Sequence, residues 1–593
     1  MRFRKIYSLI LVLAMVLALA SCGKQTPDAS TSLPTEEDTA TVTEPIQDEE
    51  EAVKPFALGY YSGIGINPYT CDNAQNQTIV GLVYEPLFEL DESFQAQPCI
   101  ARSISIKRSG SGSTDSNDTG ADTAEEVKDG NEQENAEEIT TVQSNYTVTA
   151  TIQLREDVVF SDGSSLDAGD VVYSLECARE SGSVYHNRLS RVTSVFVINS
   201  YQIQIVFQSG NTSVAAMLDI PIVKEGTGDQ KVPVGSGPYQ IQLKDGTPHK
   251  LVQNEYWWQL GNTYSVGGEE EPGATPGNAS NQVLGKTERT IQYSLEEIGL
   301  YTAADSDELI FGFSSGDISM VSTDITGTNS LYFDGSYQVF DYDTTNLLYL
   351  GLNTGTKSAC KKEALRNAIY QAVDRETLVR KSLASHAVAA AMPVAPSSPL
   401  YDTELEEQLT YQLDTARSLC ADANPGYEMT LVVNADSTFK VDMAGEIEKE
   451  LESAGLDIQV EALEWSNFKK ALQDGDYDLY LGEVKMSNNF DLTAFLNKKG
   501  SLNYSNYDSK TLQSLLNKLQ AAIGDERPAA AKSLYTQLAE EAPFVPLCFK
   551  QYSVFAQKNY LERIYATQSN LFHEFYRWQF TLPVLEADGT FAG

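Results

Sequence analysis

Histidine is scarce: the 593 residues hold four, His186, His249, His386 and His573, too few and too scattered to build a histidine metal centre. Positive charge is scarce as well. Lys and Arg number 42 against 83 Asp and Glu, a formal net charge of −41. That deficit excludes a nucleic-acid partner, because phosphate binding needs a basic footprint. It also argues against an anionic membrane surface as the main partner. No two of the seven cysteines form a CxxC pair, so the thiolate zinc and thioredoxin-type motifs are missing. There is no Gly-rich phosphate loop with a following Lys-Ser or Lys-Thr, and no HExxH, which removes the P-loop and zincin chemistries. Nothing calls for a cofactor or a bound metal. Beyond the first 20 residues no apolar run approaches the ~20 residues of a spanning helix.

One catalytic pattern is present. Gly312-Phe313-Ser314-Ser315-Gly316 fits the GxSxG nucleophile elbow, which needs a strand before it and a helix after it. Here Asp305 to Phe313 reads as a helix, with Leu309, Ile310 and Phe313 on one face, and Asp317 to Val321 reads as a strand. The context is reversed, so Ser314 is expected to be a loop serine. Acid pairs for glycoside hydrolysis are not singled out among so many carboxylates.

The N-terminus carries an address. Arg2, Arg4 and Lys5 precede an apolar run from Ile6 to Ala20, shorter than a membrane span, followed by Leu19-Ala20-Ser21-Cys22. The order of parts resembles a bacterial lipoprotein signal with its lipobox. Residues 1–21 are therefore expected to be a signal peptide and Cys22 the lipidated residue. The mature protein is expected to be lipid-anchored on the extracytoplasmic face of the cell membrane, touching the membrane only through that anchor. Six cysteines remain, an even number that permits disulfides outside the cytoplasm. Their scatter reads as buried apolar filling, and no pairing is assigned.

The charge is unevenly spread. Residues 23–52 hold nine acids against Lys24, residues 109–140 hold ten against Lys128, and the Gly/Pro/Asn-rich 263–285 adds Glu269, Glu270 and Glu271. These three stretches carry −20 of the −41. With no recurring apolar residue they are expected to be a disordered tether (22–54) and two inserts. A calcium site in 109–140 lacks the EF-hand spacing of Asp and Gly.

Between these stretches the periodicities are legible. Tyr146, Val148, Ala150, Ile152 and Leu154 alternate as a half-buried strand. A strand near 100–107 precedes it, so 109–140 reads as a lengthened hairpin loop. Asn199-Ser200 separates two more strands. From 428 to 481 the pattern is β-α-β-α-β. A strand at 429–433 leads to a helix at 441–454, closed by Gly455. A strand from Leu456 to Val460 leads to a short helix capped by Ser466 and stopped by Gly475, and the strand 477–481 completes the run. That order implies a mostly parallel sheet with right-handed crossovers. Helices follow at 508–522, with Asp508 as N-cap, and at 528–541, with Pro528 at its first position. Ligands in open α/β sheets bind beyond the carboxyl ends of strands, which draws attention to the polar loop from Gly482 to Asp491.

Several stretches, in order, resemble the oligopeptide/dipeptide-binding family (family 5) of ABC-importer solute-binding proteins. Leu82 to Leu87 looks like its "lyE.L" segment. Leu154 to Gly163 with Ala168 to Ser174 looks like its most characteristic signature. Gly235-Ser236-Gly237-Pro238-Tyr239 is similar to "GtGPY", Asn254 to Trp257 to "N..YW", and Asn353, Leu365 to Ala368 and Ala372 to Arg375 to its "fN…vRqAl…AiDr" run. Tyr477-Asp478 and Pro543 to Pro546 continue the series. The matched residues read as architecture: turns, a backbone corner at Gly235 and Gly237, and ion pairs of Arg366 and Asp374.

The resemblance implies an α/β, type II periplasmic-binding-protein-like fold, with two lobes, a cleft and an extra domain in the first lobe. The expected division is lobe I at 55–85, the extra domain at 86–222, lobe I again at 223–347, lobe II at 348–546 and lobe I at 547–593. A ligand is enclosed by hinge closure. The implied partners are an ABC permease, its ATPase and a peptide or other small polar ligand, with the receptor itself a monomer and not an enzyme. The alternatives on the same fold are an extracellular hydrolase and a sensor or surface-interaction lipoprotein.

The resemblance also points to cleft residues. The segment before "lyE.L" contributes Tyr69, Asp72 and Asn73, Tyr185 falls near a peptide-bordering tyrosine of some relatives, and Phe549 lies near the lobe crossover. From the 482–491 loop come Glu483, Lys485, Asn488, Asn489 and Asp491. Peptide-binding relatives place a Trp and then an Asp after "YD", the Asp pairing with the ligand's α-ammonium. Here that position falls on Asn488 or Ser487, and the Trp is absent. Glu483 or Asp491 could substitute from a shifted loop.

Overall fold

The computed structural model describes residues 54–110, 146–266 and 287–580, apart from positions 328, 329, 334, 424, 506 and 559. The signal segment, Cys22 and most of the tether and of both inserts lie outside the described residues. Lys54, assigned to the tether, already belongs to the folded body, its Nζ 2.8 Å from Asp317 Oδ1.

An eleven-stranded mixed sheet runs through both lobes. At one end, Ile458–Leu463, Met429–Asn434 and Leu479–Lys485 are mutually parallel, as β-α-β-α-β connectivity demands. At the other, Ala57–Tyr61 is parallel to both Glu297–Ala303 and Met320–Thr323. Two long antiparallel strands, Gln338–Leu352 and Phe544–Ala556, pass between them. Their pairing breaks register between Asp343 and Leu347, a bulge in the crossing.

The second lobe buries both sheet faces, and period-two alternation sorts the side chains. Leu348, Leu350 and Leu352 pack with Leu479, Leu481, Met429, Leu431 and Val433 on one face. Leu347 and Tyr349 pack with Tyr480 and Val432 on the other. The helix Thr438–Ser453 and the pair Lys510–Ala521 and Glu526–Glu541 cover these faces with Ile447, Leu451, Leu516 and Leu534.

A separate four-stranded antiparallel sheet comprises Ala101–Gly110, Tyr146–Leu154, Gln202–Phe207 and Val192–Asn199. Gly110 pairs with Tyr146, so residues 111–145 do join adjacent hairpin strands. The core under this sheet is continuous with that of the first lobe.

Several local expectations need correction. The second short helix begins at Trp465, so Ser466 is inside it and Glu464 holds the cap position. Ser509 caps Lys510–Ala521, while Asp508 pairs with Lys498 at 2.8 Å. The last helix starts at Glu526, making Pro528 its third residue, still within the turn whose N–H groups lack helical acceptors. The strand expected at 477–481 runs over Leu479–Lys485, because Asn346–Leu352 supplies a ladder along its whole length. Among the described residues Arg366 forms no ion pair; its guanidinium donates to the carbonyls of Glu541 (2.8 Å), Cys360 and Lys361. Asp374 caps its own helix through Thr377 N. The six described cysteines are free, five of them buried.

Candidate functional site

A cavity of about 730 Å³ is walled by the first lobe and the crossing strands, with Lys485 reaching it from the second lobe, within the ~300–1,000 Å³ typical of small-ligand sites. The first lobe contributes the N-terminal turn of the helix Ala74–Val83, through Asn73, Gln75 and Thr78. Asn73 holds that turn open to the cavity by accepting from Gln75 N and Asn76 N with its own side chain. The crossing strands contribute Tyr342 and Tyr552, cross-strand partners with ring centroids 6.0 Å apart. The second lobe contributes Lys485, the last residue of its strand. A smaller cavity of about 390 Å³ adjoins it and shares Tyr342 and Thr567 to Ser569 as walls. The lining is rich in amides and hydroxyls, suited to a polar ligand that accepts and donates hydrogen bonds.

The charges are arranged in two groups. Lys550 is almost wholly buried on a crossing strand, with Asp324 at 2.6 Å and Glu483 at 3.2 Å, and Lys440 lies 2.6 Å from Glu483. Burial alone would push the Lys550 ammonium down; Glu483 and Asp324 outweigh it and hold its pKa up. Burial likewise opposes the Glu483 carboxylate, and Lys440 and Lys550 hold its pKa down. Lys485 forms no ion pair among the described residues, and its nearest acid influence is Asp219, which opposes the lowering of its pKa. Burial, and then the nearby Arg188 guanidinium, lower its pKa.

The second group closes the lobes against each other. Arg188 pairs with Asp219, and Ser569 Oγ donates to Asp219 at 2.8 Å. From the second lobe, Asn488 Nδ2 reaches both Asp219 oxygens, at 3.2 and 3.1 Å, and the Ala216 carbonyl at 3.2 Å. Asn489 Nδ2 donates to Ser213 O, Asn211 Nδ2 to Asp491, and Thr212 N to Gln520 O at 2.8 Å.

The residues singled out from the sequence thus fall into three places. Asp72, Asn73 and Lys485 line the cavity. Asn488, Asn489 and Asp491 form the seam between lobes, and Glu483 sits in the lysine network. Tyr69 and Phe549 are core residues, 3% and 2% exposed. The Tyr69 hydroxyl donates to Pro221 O, and Phe549 packs edge-on against Phe490. Tyr185 is packed against the first-lobe core, with Arg188 5.3 Å from its ring centroid. Sequence reasoning missed Tyr342, Tyr552, Asp324, Gln568, Arg188 and Asp219. The alternation around Tyr342 and Tyr552 carried a strand signal; Arg188 and Asp219 carried none, because their partners are remote in sequence.

The motif residues explain themselves structurally. Glu85 is buried and accepts from Trp257 Nε1 (2.9 Å), Trp258 Nε1 (3.0 Å) and Ser236 Oγ (2.9 Å), so three motifs meet at one carboxyl group. Burial pushes that carboxyl up to about 7 against these donors. Asp478 accepts from Tyr427 and Ser358 hydroxyls and from Thr430 N, fastening the start of a second-lobe strand. Ser314, itself exposed, ends the helix Ser306–Ser314, followed by a turn and a strand. Among the described residues Ser553, His386 and Asp341 lie together, but the buried serine hydroxyl donates to Asp341 at 2.5 Å and stands 3.4 Å from His386 Nδ1, whereas a nucleophilic serine is hydrogen-bonded to its base.

Two α/β lobes joined by crossing strands, with a polar cavity where the first lobe and these strands meet Lys485 of the second, define a binding protein of the type II periplasmic class. The chain belongs to the bacterial extracellular solute-binding proteins, family 5, whose middle region matches residues 134–506, more than half of its length. The oligopeptide-binding protein AppA of Bacillus subtilis (strain 168) is 21% identical over 442 residues, 67% of this chain and 75% of that protein. Among solved structures, HbpA2 from Haemophilus parasuis superposes with a TM-score of 0.64 at 17% identity, covering 89% of this chain and 100% of that one. The ABC transporter substrate-binding protein CtaP from Listeria monocytogenes gives 0.62 at 17% identity, with 89% and 99% covered. At these identities the structural likeness is one of fold.

Proposed function

We propose that this protein is the lipid-anchored, extracytoplasmic receptor of an ABC importer, which captures a small polar ligand between its lobes and delivers it to a membrane permease. The cavity where the first lobe and the crossing strands meet Lys485 of the second lobe carries this reading: a ligand there that engages Lys485 contacts each lobe and so favours the closed arrangement over the open one. The lipobox at Cys22 supports the anchor, and the domain division given above supports a hinge at the crossing strands. Peptide is the default ligand class, in keeping with the curated relative. The carboxylates of the 483–491 stretch are engaged by lysines, amides and hydroxyls, and Lys485 is the charged residue of that stretch on the cavity wall. The reading therefore favours ligands that present an anionic group there and do not depend on a loop aspartate for an α-ammonium. Thermal-shift screening with peptides, sugars, opine-like amino-acid conjugates and metal chelates tests it. A ligand at 100 times its Kd adds about 2.7 kcal/mol, a clear rise in Tm. If no class raises Tm and no permease gene lies nearby, the reading falls.

A further inference from the structure

Two cations and one acid meet where the second lobe reaches the interlobe cavity. Lys485 opens onto the cavity from the end of its strand. The next residue anchors it to a crossing strand: Met486 N donates to Thr345 O and Thr345 Oγ donates to Met486 O, both at 2.9 Å. Two charged groups act on its ammonium, Arg188 against the protonated form and Asp219 in favour of it. The other acids of the cavity wall, Asp72, Asp305 and Asp324, do not bear on it.

Asp219 is committed elsewhere. Its carboxylate pairs with Arg188 and accepts from Ser569 Oγ and Asn488 Nδ2. Its side chain is 5% exposed, and the fully buried Leu218 and Ile220 hold its backbone on either side. Arg188 is steadied in turn by Tyr185, whose ring centroid lies 5.3 Å from the guanidinium carbon. A guanidinium matches a carboxylate in shape and stays charged throughout the working pH range, so it is a strong claimant to that acid. One acid thus faces two cations, and the arginine holds it. Lys485 is left beside a like charge, a state that an arriving anion relieves.

We propose that Arg188 is a positioning residue for ligand charge: by holding Asp219 it keeps Lys485 free of an internal counterion and so reserves that ammonium for an anionic group of the ligand. This role rests on the interlobe cavity being the ligand site, as proposed above, and makes the ligand's anion the counterion that the site lacks. Without Arg188, Asp219 would turn to Lys485 and the protein itself would supply the charge that a ligand otherwise brings.

The test follows the Lys485 resonance by NMR in protein carrying ¹³C at the lysine Cε, the signal being identified by its loss in Lys485→Met. In the parent, Lys485 should titrate below the ordinary lysine range. In Arg188→Met its pKa should rise by roughly one to three units as Asp219 becomes its partner. Adding Asp219→Asn to Arg188→Met should remove most of that rise, which separates capture of Asp219 from mere relief of repulsion. Arg188→Lys, which keeps a cation on Asp219, should stay near the parent value. Sodium acetate is the anion probe, with acetamide as its neutral counterpart, at constant ionic strength. Acetate should shift the Lys485 signal saturably and acetamide should not. The acetate affinity should fall about tenfold in Arg188→Met, where an internal counterion must first be displaced. A Lys485 pKa that does not rise in Arg188→Met, a rise that persists in full with Asp219→Asn, or an acetate response no larger than that of acetamide overturns the proposal. The thermal-shift screen reads whole ligands, so a ligand that raises Tm equally in the parent and in Arg188→Met would spare the interlobe reading and sink this role.

Discussion

Asn488 illustrates how a residue's neighbours decide its role. Its amide is 5% exposed and spans the seam to Asp219, whose carboxylate also serves Arg188 and Ser569. An amide suits this place because it donates to an acid without adding charge. Asn488→Asp would set two carboxylates together in a buried site served by one arginine, and like charges there disfavour mutual ionisation. The expected outcome is loss of the seam contact, costing about 1–3 kcal/mol, seen as a lower Tm and a larger radius of gyration in small-angle scattering. An unchanged radius and Tm would show that the seam does not hold the lobes. The sequence indicated that the family's aspartate was missing here, but not that the asparagine serves another aspartate. Asp219 lies 269 residues away, and no local pattern encodes that pairing. Tyr69 and Phe549 went astray for a related reason: an aromatic side chain near a cleft reads alike whether it faces ligand or core.

Elements were legible where periodicity was strong and their ends where a single residue type marks them. Gly475 closes its helix at φ +73°, as a left-handed C-terminal cap requires. N-termini slipped by one to three residues, since Ser509 and Asp508, for example, are equally good caps by type and only geometry chooses. The strand Leu479–Lys485 was read short because Glu483 and Lys485 look like loop residues, although a long neighbour pairs with them. The corner 235–239 was read correctly as architecture. A methyl group on Gly235 would lie 2.2 Å from Val83 O, and that carbonyl is fixed by the hydrogen bond from Gly237 N. Gly235→Ala is therefore expected to lower stability by roughly 2–4 kcal/mol through backbone displacement, measured by chemical denaturation. The same displacement would loosen Ser236 from Glu85. A loss below about 0.5 kcal/mol, ordinary for surface sites, would mean that the corner yields without strain.

For the whole molecule, the net charge of −41 is a poor guide to ligand, because −20 of it lies in three low-complexity stretches. It is a better guide to behaviour with pH when combined with a few buried groups. Glu85 and Glu450 are both pushed up to about 7 by burial. For an acid raised in this way the folded state holds a proton that the unfolded chain has released. Stability is then greatest below the unfolded value and declines as pH rises toward the folded one. For Glu85, moving from 4.5 to about 7 corresponds to about 3 kcal/mol lost across that window. His573 acts in the same direction. Burial alone would lower its pKa, but Glu89 raises it above 6.5, so its contribution is present below that pH and fades as pH rises through the folded value. Glu89 and Glu483 have lowered pKa values, and their contributions are lost only as pH falls below the usual carboxylate range. Together these groups place maximum stability on the acidic side of neutrality. The protein should melt at a higher temperature near pH 5.5 than near pH 8, with a loss of a few kcal/mol between them. Glu85→Gln, which keeps an oxygen acceptor but cannot ionise, should flatten the profile and narrow the gap. Calorimetry at the two pH values reads both effects. A Tm that rises toward pH 8, or a Glu85→Gln profile parallel to the parent, would show that the carboxyl stays ionised in its cage of indole and hydroxyl donors and that hydrogen bonding there outweighs burial.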